Sequence, residues 1–342
     1  MIGYFRHQPS GCLWYRIKNP MDLMYNHGID TRSLDIHTDF SEDLYNEIKA
    51  VQIYGIYPFS FKSAIETMKK DGKRIIYDFD DAMELVDPSS PFYNAVQRDK
   101  GTAKAMFDLS DHITVATPTL KEYASRFTSA PISVIPNCYV ESEWKYPRPK
   151  REGIRIGFVG SATHVEDLIP VLPTIRKLQK SHNIKFYIMG FAKTDFDLWV
   201  RQYKALAEEA GKQAVDNFVK ELQEIQFQWI PFVDFEHYPS TLINLSLDIG
   251  LCPLKDTPFN RCRSSSKAME YTLSGALALA SNLPTYSQDP TSVLVDNWED
   301  VLTYYVTHLD KIEPKRQEHL EWLQKNRNIE NQLVLLKDIY MV

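Results

Sequence analysis

Short apolar runs alternate with longer amphipathic segments over the first part of the chain. The apolar runs predict strands at 1–5, 50–57, 74–79, 113–116 and 132–135. The segments 61–71 and 103–109, which lie between them, predict helices. This alternation is typical of a parallel sheet covered by helices.

A polar segment at 141–153 separates this half from a second half of the same kind. It reads E-S-E-W-K-Y-P-R-P-K-R-E-G, and its two prolines and many charges are typical of a linker. Strand patterns then resume at 154–160, 184–189, 227–230, 247–251 and 276–280. The charged, amphipathic stretch 191–226 predicts a mostly helical insertion.

We therefore predict an α/β protein made of two doubly wound, Rossmann-like domains that face a cleft. The first domain is expected to span residues 1–148 and the second residues 152–324. A final helix, at about 325–342, is expected to pack back on the first domain. Ligands of such sheets bind beyond the carboxyl ends of the strands.

Composition and charge narrow the functional classes. The chain has 342 residues, of which 44% are hydrophobic and 25% charged, and its net charge is -6. This charge argues against a generally basic nucleic-acid binder. No apolar run reaches the roughly 20 residues that span a bilayer, and the first residues lack the apolar core of a signal peptide. Four scattered cysteines predict reduced thiols and no zinc site, so we expect a cytoplasmic protein without stable membrane insertion.

The most distinctive chemistry lies in the segment 256–284. The serine run 264–266 stands where a helix is expected to begin, Arg263 and Lys267 flank it, and Glu270 follows one turn later. A serine-rich helix start with cations beside it is suited to a phosphate, and a carboxylate one turn deeper can accept hydrogen bonds from sugar hydroxyls. The alternative is that the serines only cap the helix and that the glutamate is a solvated side chain.

Three further polar turns follow predicted strands. The turn at 160–162 lets backbone amides approach a phosphate, or it is a plain tight turn. The aspartates at 78, 80 and 81 either face the cleft or cap the next helix. A metal site is disfavoured there, because these carboxylates lie in the domain opposite the phosphate pocket. The turn at 11–16 follows the first strand and is expected to line the same cleft.

With these segments in place, the chain resembles the GT-B fold glycosyltransferases, and most of all their family 4. The resemblance is carried by G-F-V-G-S-A-T-H-V-E-D-L (157–168), D-I-G-L-C-P-L (248–254) and R-S-S-S-K-A-M-E-Y-T-L-S-G-A-L-A-L-A-S (263–281), with Y-D-F-D-D (77–81) and S-V-I-P-N (133–137) in the first half. It implies sugar transfer with retention from a nucleotide-diphosphate sugar.

The chain departs from this family at two places. The second glutamate of the family's Glu, seven residues, Glu pattern binds the nucleotide ribose, and Glu270 matches it. The first glutamate, which contacts the donor sugar, would fall at position 262, where this chain has Cys262. The family's Arg and Lys after the glycine turn are absent from 161–168, so we infer that Arg263 and Lys267 hold the diphosphate.

The residues assigned from the motifs and the resemblance form three groups. The expected catalytic residues are Asp80, Asp81, Arg263 and Lys267. The expected donor-binding residues are Gly160, Ser161, His164, Asn260, Ser264, Ser265, Ser266 and Glu270. The expected acceptor-side residues are Gly11, Cys12, Tyr15 and Arg16. No metal and no cofactor beyond the nucleotide-sugar co-substrate are expected.

The sequence thus predicts a retaining glycosyltransferase, with a catalytically inactive nucleotide-sugar-binding module as the alternative. The missing glutamate at position 262 favours that alternative. A dehydrogenase is disfavoured because no intact G-x-G-x-x-G follows either leading strand. The acceptor is left open among a glycan, a lipid-linked sugar, a protein and a modified nucleobase in DNA. The oligomeric state is also left open.

Overall fold

The computed structural model describes residues 1–6, 11–35, 41–55, 61–86, 93, 104–207 and 209–341. Two sheets of six parallel strands form its framework, with strand orders β2-β1-β3-β4-β5-β6 and β12-β11-β10-β7-β8-β9. The predicted fold class is therefore confirmed. Two ends of predicted elements, residues 56–57 and Ala103, lie outside the described residues.

The first sheet and its helices make up the first domain. Its strands are β1 (Ile2–Arg6), β2 (Thr31–Asp35), β3 (Ala50–Tyr54), β4 (Arg74–Phe79), β5 (His112–Val115) and β6 (Ile132–Val134). Its helices are α1 (Gly11–Leu13), α2 (Asn19–Asn26), α3 (Glu42–Glu47), α4 (Lys62–Lys70), α5 (104–109) and α6 (Pro118–Ala124). A π-helical turn, Trp14–Lys18, joins α1 to α2 without a break.

The second sheet and its helices make up the second domain. Its strands are β7 (Ile154–Val159), β8 (Ile184–Met189), β9 (Phe227–Ile230), β10 (Ile249–Cys252), β11 (Leu277–Ser281) and β12 (Val293–Val295). The helices that follow the linker are α7 (Val165–Leu168), α8 (Leu172–Gln179), α9 (Phe196–Leu206), α10 (Glu209–Glu221), α11 (Tyr238–Leu245), α12 (Pro258–Cys262), α13 (Ser266–Ser274), α14 (Pro284–Ser287), α15 (Trp298–Thr307), α16 (Ile312–Asn326) and α17 (Leu333–Tyr340). Among the described residues, no helix has both the length and the apolar character needed to cross a bilayer.

The burial of the strands shows which of them pass through the core of each domain. The fourth and tenth strands are buried along almost their whole length, as expected of parallel strands covered on both faces. The edge strand β2 reads T-R-S-L-D and is mostly exposed. Its polar composition explains why the hydrophobic pattern did not predict it.

The last helix returns to the first domain. Leu336, Ile339 and Tyr340 of α17 are buried in one apolar cluster with Ile2 and Tyr4 of β1. The helix predicted at about 325–342 begins later than expected, at Leu333, after a short 3-10 turn, Ile329–Gln332, that follows α16.

The chain crosses between the domains twice, and the two crossings are hydrogen-bonded to each other. Tyr139 donates its amide to the carbonyl of Arg327 at 2.9 Å, and Ile329 donates to the carbonyl of Tyr139 at 3.0 Å. These bonds hold the two connections side by side.

Candidate functional site

A cleft of about 280 Å³ lies between the domains, beyond the carboxyl ends of their strands. The sequence-predicted residues that line it are Gly11, Cys12, Tyr15, Asp80, Asp81, Gly160, Ser161, His164, Arg263, Ser264, Ser266, Lys267 and Glu270. They come from both domains, so the cleft exists only when the two sheets face each other.

Helix α13 points its first turn into this cleft. Ser265 is the N-cap residue, and no side chain among the described residues accepts a hydrogen bond from the first backbone amides of the helix. The helix dipole adds partial positive charge at this end. An anion bound here would supply the missing acceptors.

Lys267 stands in the first turn of the same helix with its ammonium group buried. Its Nζ has no hydrogen-bond partner among the described residues and lies 4.4 Å from the centre of the Phe158 ring. A Cβ atom on Gly160 would stand 3.0 Å from Nζ, so a larger residue there would crowd the ammonium. Burial, with added repulsion from Arg263, lowers the pKa of the Lys267 ammonium to about 8. A buried cation without a partner is costly, and a bound anion would remove that cost.

Glu270 lies one turn further along α13 and is held by two phenols. Tyr15 of the first domain donates to Oε1 at 2.6 Å, and Tyr238 of α11 donates to Oε2 at 2.7 Å. Burial raises the pKa of the Glu270 carboxyl, while the two phenols oppose that rise. Each oxygen keeps a lone pair for a further donor, such as a sugar hydroxyl.

Arg263 contacts two other predicted site residues, Asp81 and His164, at the cleft. Its Nε lies 3.6 Å from Oδ1 of Asp81, and its Nη1 lies 3.1 Å from Nε2 of His164. The other ring nitrogen of His164 is 2.8 Å from Asp167. Burial lowers the pKa of His164 to about 3, and Lys267 and Arg263 reinforce this. The imidazole is therefore neutral, with Nδ1–H donated to the aspartate and Nε2 accepting from the arginine.

The aspartates of the first domain face the cleft from the opposite side. Tyr54 donates to Oδ1 of Asp80 at 2.8 Å. Burial, reinforced by Asp80, raises the pKa of the Asp81 carboxyl to about 6, although Arg263 opposes this. Burial and the same two carboxylates raise the pKa of Cys12, so its thiol is protonated at neutral pH. No group of three or more His, Cys, Asp or Glu side chains in the described residues is arranged to hold a metal ion.

Three predicted site residues lie outside the lining of the cleft. Arg16 is 2% exposed and forms a bidentate ion pair with Asp78, so it does not offer a charge to an acceptor. Asn260 is buried and donates its amide to the carbonyl of Lys255 at 2.9 Å, which turns it away from the cleft. Ser265 donates its hydroxyl to Asp289 at 2.6 Å. Each of these polar side chains has its partner inside the protein.

Position 262, where the resemblance places a sugar-binding glutamate, also lies outside the cleft lining. Cys262 is 5% exposed and packs against the apolar core of the first domain. Its carbonyl accepts a hydrogen bond from Thr117 at 3.0 Å. Here the residue joins the two domains, and a carboxylate in its place would be buried in an apolar cluster.

The structure also adds residues that the sequence did not indicate. Tyr238, Phe232 and Phe235 line the cleft after β9, and Asn137 binds the serines at the start of α13. Asn137 belongs to the S-V-I-P-N motif, so its position was visible in the sequence but its contacts were not. Tyrosines and phenylalanines are too frequent in this chain for three of them to stand out.

The chain was compared with known protein families, curated proteins and solved structures. No family model matches the chain, and no curated protein matches its sequence. Solved structures do match over nearly the full length. A glycosyltransferase from Rickettsia africae has a TM-score of 0.67 at 12% identity, covering 99% of this chain and 98% of that chain. An alpha-glucosyltransferase in complex with UDP and a 13-mer DNA containing a HMU base has a TM-score of 0.69 at 12% identity, covering 100% and 99%.

A third match is an alpha,alpha-trehalose-phosphate synthase (UDP-forming) from Burkholderia vietnamiensis. Its TM-score is 0.63 at 11% identity, and the alignment covers 100% of this chain and 99% of that chain. At such identities the likeness concerns the fold alone. The two facing sheets, the cleft between them and the returning C-terminal helix thus give this chain the GT-B fold of these glycosyltransferases.

Proposed function

We propose that this protein is a retaining glycosyltransferase that uses a nucleotide-diphosphate sugar. The observation that carries the proposal is the buried Lys267 ammonium beside the start of α13, where the part of the chain that the structure describes provides neither a hydrogen-bond acceptor for the ammonium nor a side-chain cap for the helix. A diphosphate placed there receives a full positive charge, the free amides of the first turn and the positive end of the helix dipole. The solved structures with UDP in their descriptions make a uridine diphosphate sugar the first donor to test.

We place the ribose, the nucleobase and the sugar of the donor from the residues that line the cleft. From the diphosphate, the ribose reaches Glu270, whose oxygens each retain an acceptor site. The nucleobase then lies toward Gly190, Phe232 and Val233. The sugar lies on the other side of the diphosphate, toward Asp81 and Arg263.

The proposed chemistry requires no protein nucleophile. As the bond between sugar and diphosphate breaks, Lys267 and the α13 amides stabilise the negative charge on the leaving group. Arg263 is held between Asp81 and His164 and is positioned to share this role. The acceptor hydroxyl attacks the sugar carbon from the same face as the one from which the diphosphate leaves. An oxygen of the departing diphosphate takes the proton of that hydroxyl. This route retains the configuration of the sugar carbon.

Thermal unfolding with a panel of nucleotide sugars tests the donor part of the proposal. A ligand that binds only the folded state raises the melting temperature. We expect UDP-glucose or another uridine diphosphate sugar to stabilise the wild type, and Lys267→Ala and Glu270→Ala to reduce that stabilisation. Lys204→Ala is the matched control, because Lys204 lies on the surface and pairs with Asp216. A panel in which no nucleotide sugar stabilises the wild type would refute the proposal.

Product analysis tests the chemical part. The acceptors to offer are a glycan, a lipid-linked sugar and DNA with a hydroxymethylated base, which approach the cleft past Gly11, Cys12 and Tyr15. Proton NMR of the first product distinguishes retention from inversion at the transferred sugar. An inverted product would contradict the proposed route.

A binding module without catalysis is the second candidate, and the position of Cys262 favours it. This residue is buried between the domains, so the sugar-contacting carboxylate of the resembling family has no counterpart at that point. Slow release of free sugar from the bound donor, measured without acceptor, separates the two. Tight binding with no hydrolysis and no transfer would favour the module.

A further inference from the structure

Asn137 lies between the buried ion pair of the first domain and the start of α13 in the second. It follows β6, on the first of the two crossings between the domains, and is 1% exposed. Its side chain contacts Arg16 on one side and the serines Ser264 and Ser266 on the other. It is therefore a direct polar link between the two halves of the cleft.

Arg16 determines which way the amide of Asn137 faces. The guanidinium is held by Asp78 and by the carbonyl of Ile135, and its Nη1 lies 3.3 Å from Oδ1 of Asn137. A guanidinium has only donors, so the atom that faces it must be the amide oxygen. The amide nitrogen of Asn137 is thereby turned toward the serines.

The hydrogen atoms of this group can be counted. Nδ2 of Asn137 lies 3.0 Å from Oγ of Ser264 and 2.9 Å from Oγ of Ser266, and an amide nitrogen only donates, so neither hydroxyl can donate to it. The serine oxygens are 2.9 Å apart, so one hydroxyl donates to the other. The remaining hydroxyl hydrogen has no acceptor among the described residues, and both serines line the cleft.

We propose that Asn137 is a positioning residue for the diphosphate: because its amide nitrogen faces Ser264 and Ser266 as a donor, it leaves one serine hydroxyl free to donate to the phosphate. The inference rests on the proposed function, because it assumes a diphosphate at the start of α13. It goes further by assigning a residue of the first domain to a phosphate site in the second. The orientation of the serines then depends on domain closure, since Arg16 sets the amide of Asn137.

Calorimetric titration with UDP tests the inference. We expect Asn137→Ala to weaken UDP binding about tenfold, which is the typical effect of losing a hydrogen bond to a charged group. The control is Asn19→Ala. Asn19 is also buried and donates to the carbonyl of Cys138, one residue further along the same crossing, but it does not contact the serines. This control is expected to bind UDP within about twofold of the wild type.

A double-mutant cycle separates positioning from a merely structural role. If Asn137 acts through the serines, its replacement in a Ser264→Ala and Ser266→Ala background should weaken UDP binding by less than about twofold. Asn137→Asp keeps an acceptor for Arg16 but cannot donate to the serines, so it should fold and should lose at least as much affinity as Asn137→Ala.

The outcomes identify which idea fails. Wild-type protein that binds no UDP would overturn the proposed use of a uridine donor and this inference with it. Wild-type binding together with an unaffected Asn137→Asp variant, or a loss that persists undiminished in the serine background, would overturn the inference alone.

Discussion

The charge of the Lys267 side chain is disfavoured in the free protein. Burial in the wall of the cleft lowers the pKa of the ammonium, and among the described residues no hydrogen-bond acceptor offsets this. A diphosphate would reverse the balance, because it holds the proton on the ammonium. Binding of the diphosphate is therefore linked to protonation of Lys267. The free protein loses the charge as pH rises through about 8, whereas the complex keeps it.

We accordingly expect UDP affinity to be nearly constant between about pH 7 and 7.5 and to fall above pH 8, approaching about tenfold per pH unit. Calorimetric titration across this range measures the effect. Lys267→Met should bind weakly and show no such fall, while Lys204→Met should keep the wild-type profile. A pH-independent affinity in the wild type would contradict this link between binding and protonation of Lys267.

How far the site could be predicted varies from residue to residue. Lys267 and Glu270 were recognisable because their types and spacing suit a helix start. Arg16 has an equally suggestive position, but whether it faces the cleft depends on Asp78, which lies 62 residues away. Asn260 lies outside the cleft lining, and its amide donates to the nearby carbonyl of Lys255, an acceptor that no residue type reveals.

Helix α13 is held on its sheet by the side chain of Tyr271. The phenol accepts the amide of Val159 at 2.7 Å and donates to the carbonyl of Gly157 at 3.2 Å. The ring lies flat against Gly250, where a Cβ would be 2.1 Å from Cγ. The glycine of β10 thus sets the distance between helix and sheet, and with it the position of the phosphate site.

Two glycines that are paired on neighbouring strands provide a test. Gly250 of β10 is the register partner of Gly157 of β7. Gly250→Ala should destabilise the protein by about 1–3 kcal/mol, because the tyrosine ring is fixed by its hydroxyl. Gly157→Ala should cost less, because its Cβ would meet the end of the Leu247 side chain, which can rotate. Denaturant unfolding of both variants measures the difference, and equal losses would contradict this explanation.

Helices and strands could be predicted where their buried side chains give the sequence a regular spacing of apolar residues. The two sheets were predicted from the apolar runs of their inner strands. The serine run correctly predicted where α13 begins. The stretch 191–226 was predicted to be mostly helical, and it contains α9 and α10; the strand predicted after it, at 227–230, is β9. Edge strands such as β2 are exposed and polar, so hydrophobic periodicity carries little information about them.

The returning helix α17 makes the stability of the first domain depend on the end of the chain. Leu336 is fully buried in the cluster that contains β1, whereas Val334 on the same helix is 72% exposed. Leu336→Ala should therefore lower the free energy of unfolding by about 2–5 kcal/mol. Val334→Ala should change it by less than about 0.5 kcal/mol. Chemical denaturation checks both values, and similar effects would show that α17 is not part of the core.

The same helix has a consequence for synthesis of the chain on the ribosome. The strands of the second domain have all been made before α17 emerges, so that domain can assemble in the usual way. The core around Ile2 and Tyr4 closes only when Ile339 and Tyr340 arrive. About 5–20 residues are added each second, so the delay between β6 and α17 is roughly 10 to 40 s. The domain that is translated first is thus completed last, and its uncovered apolar surface is the part of the nascent chain most in need of a chaperone.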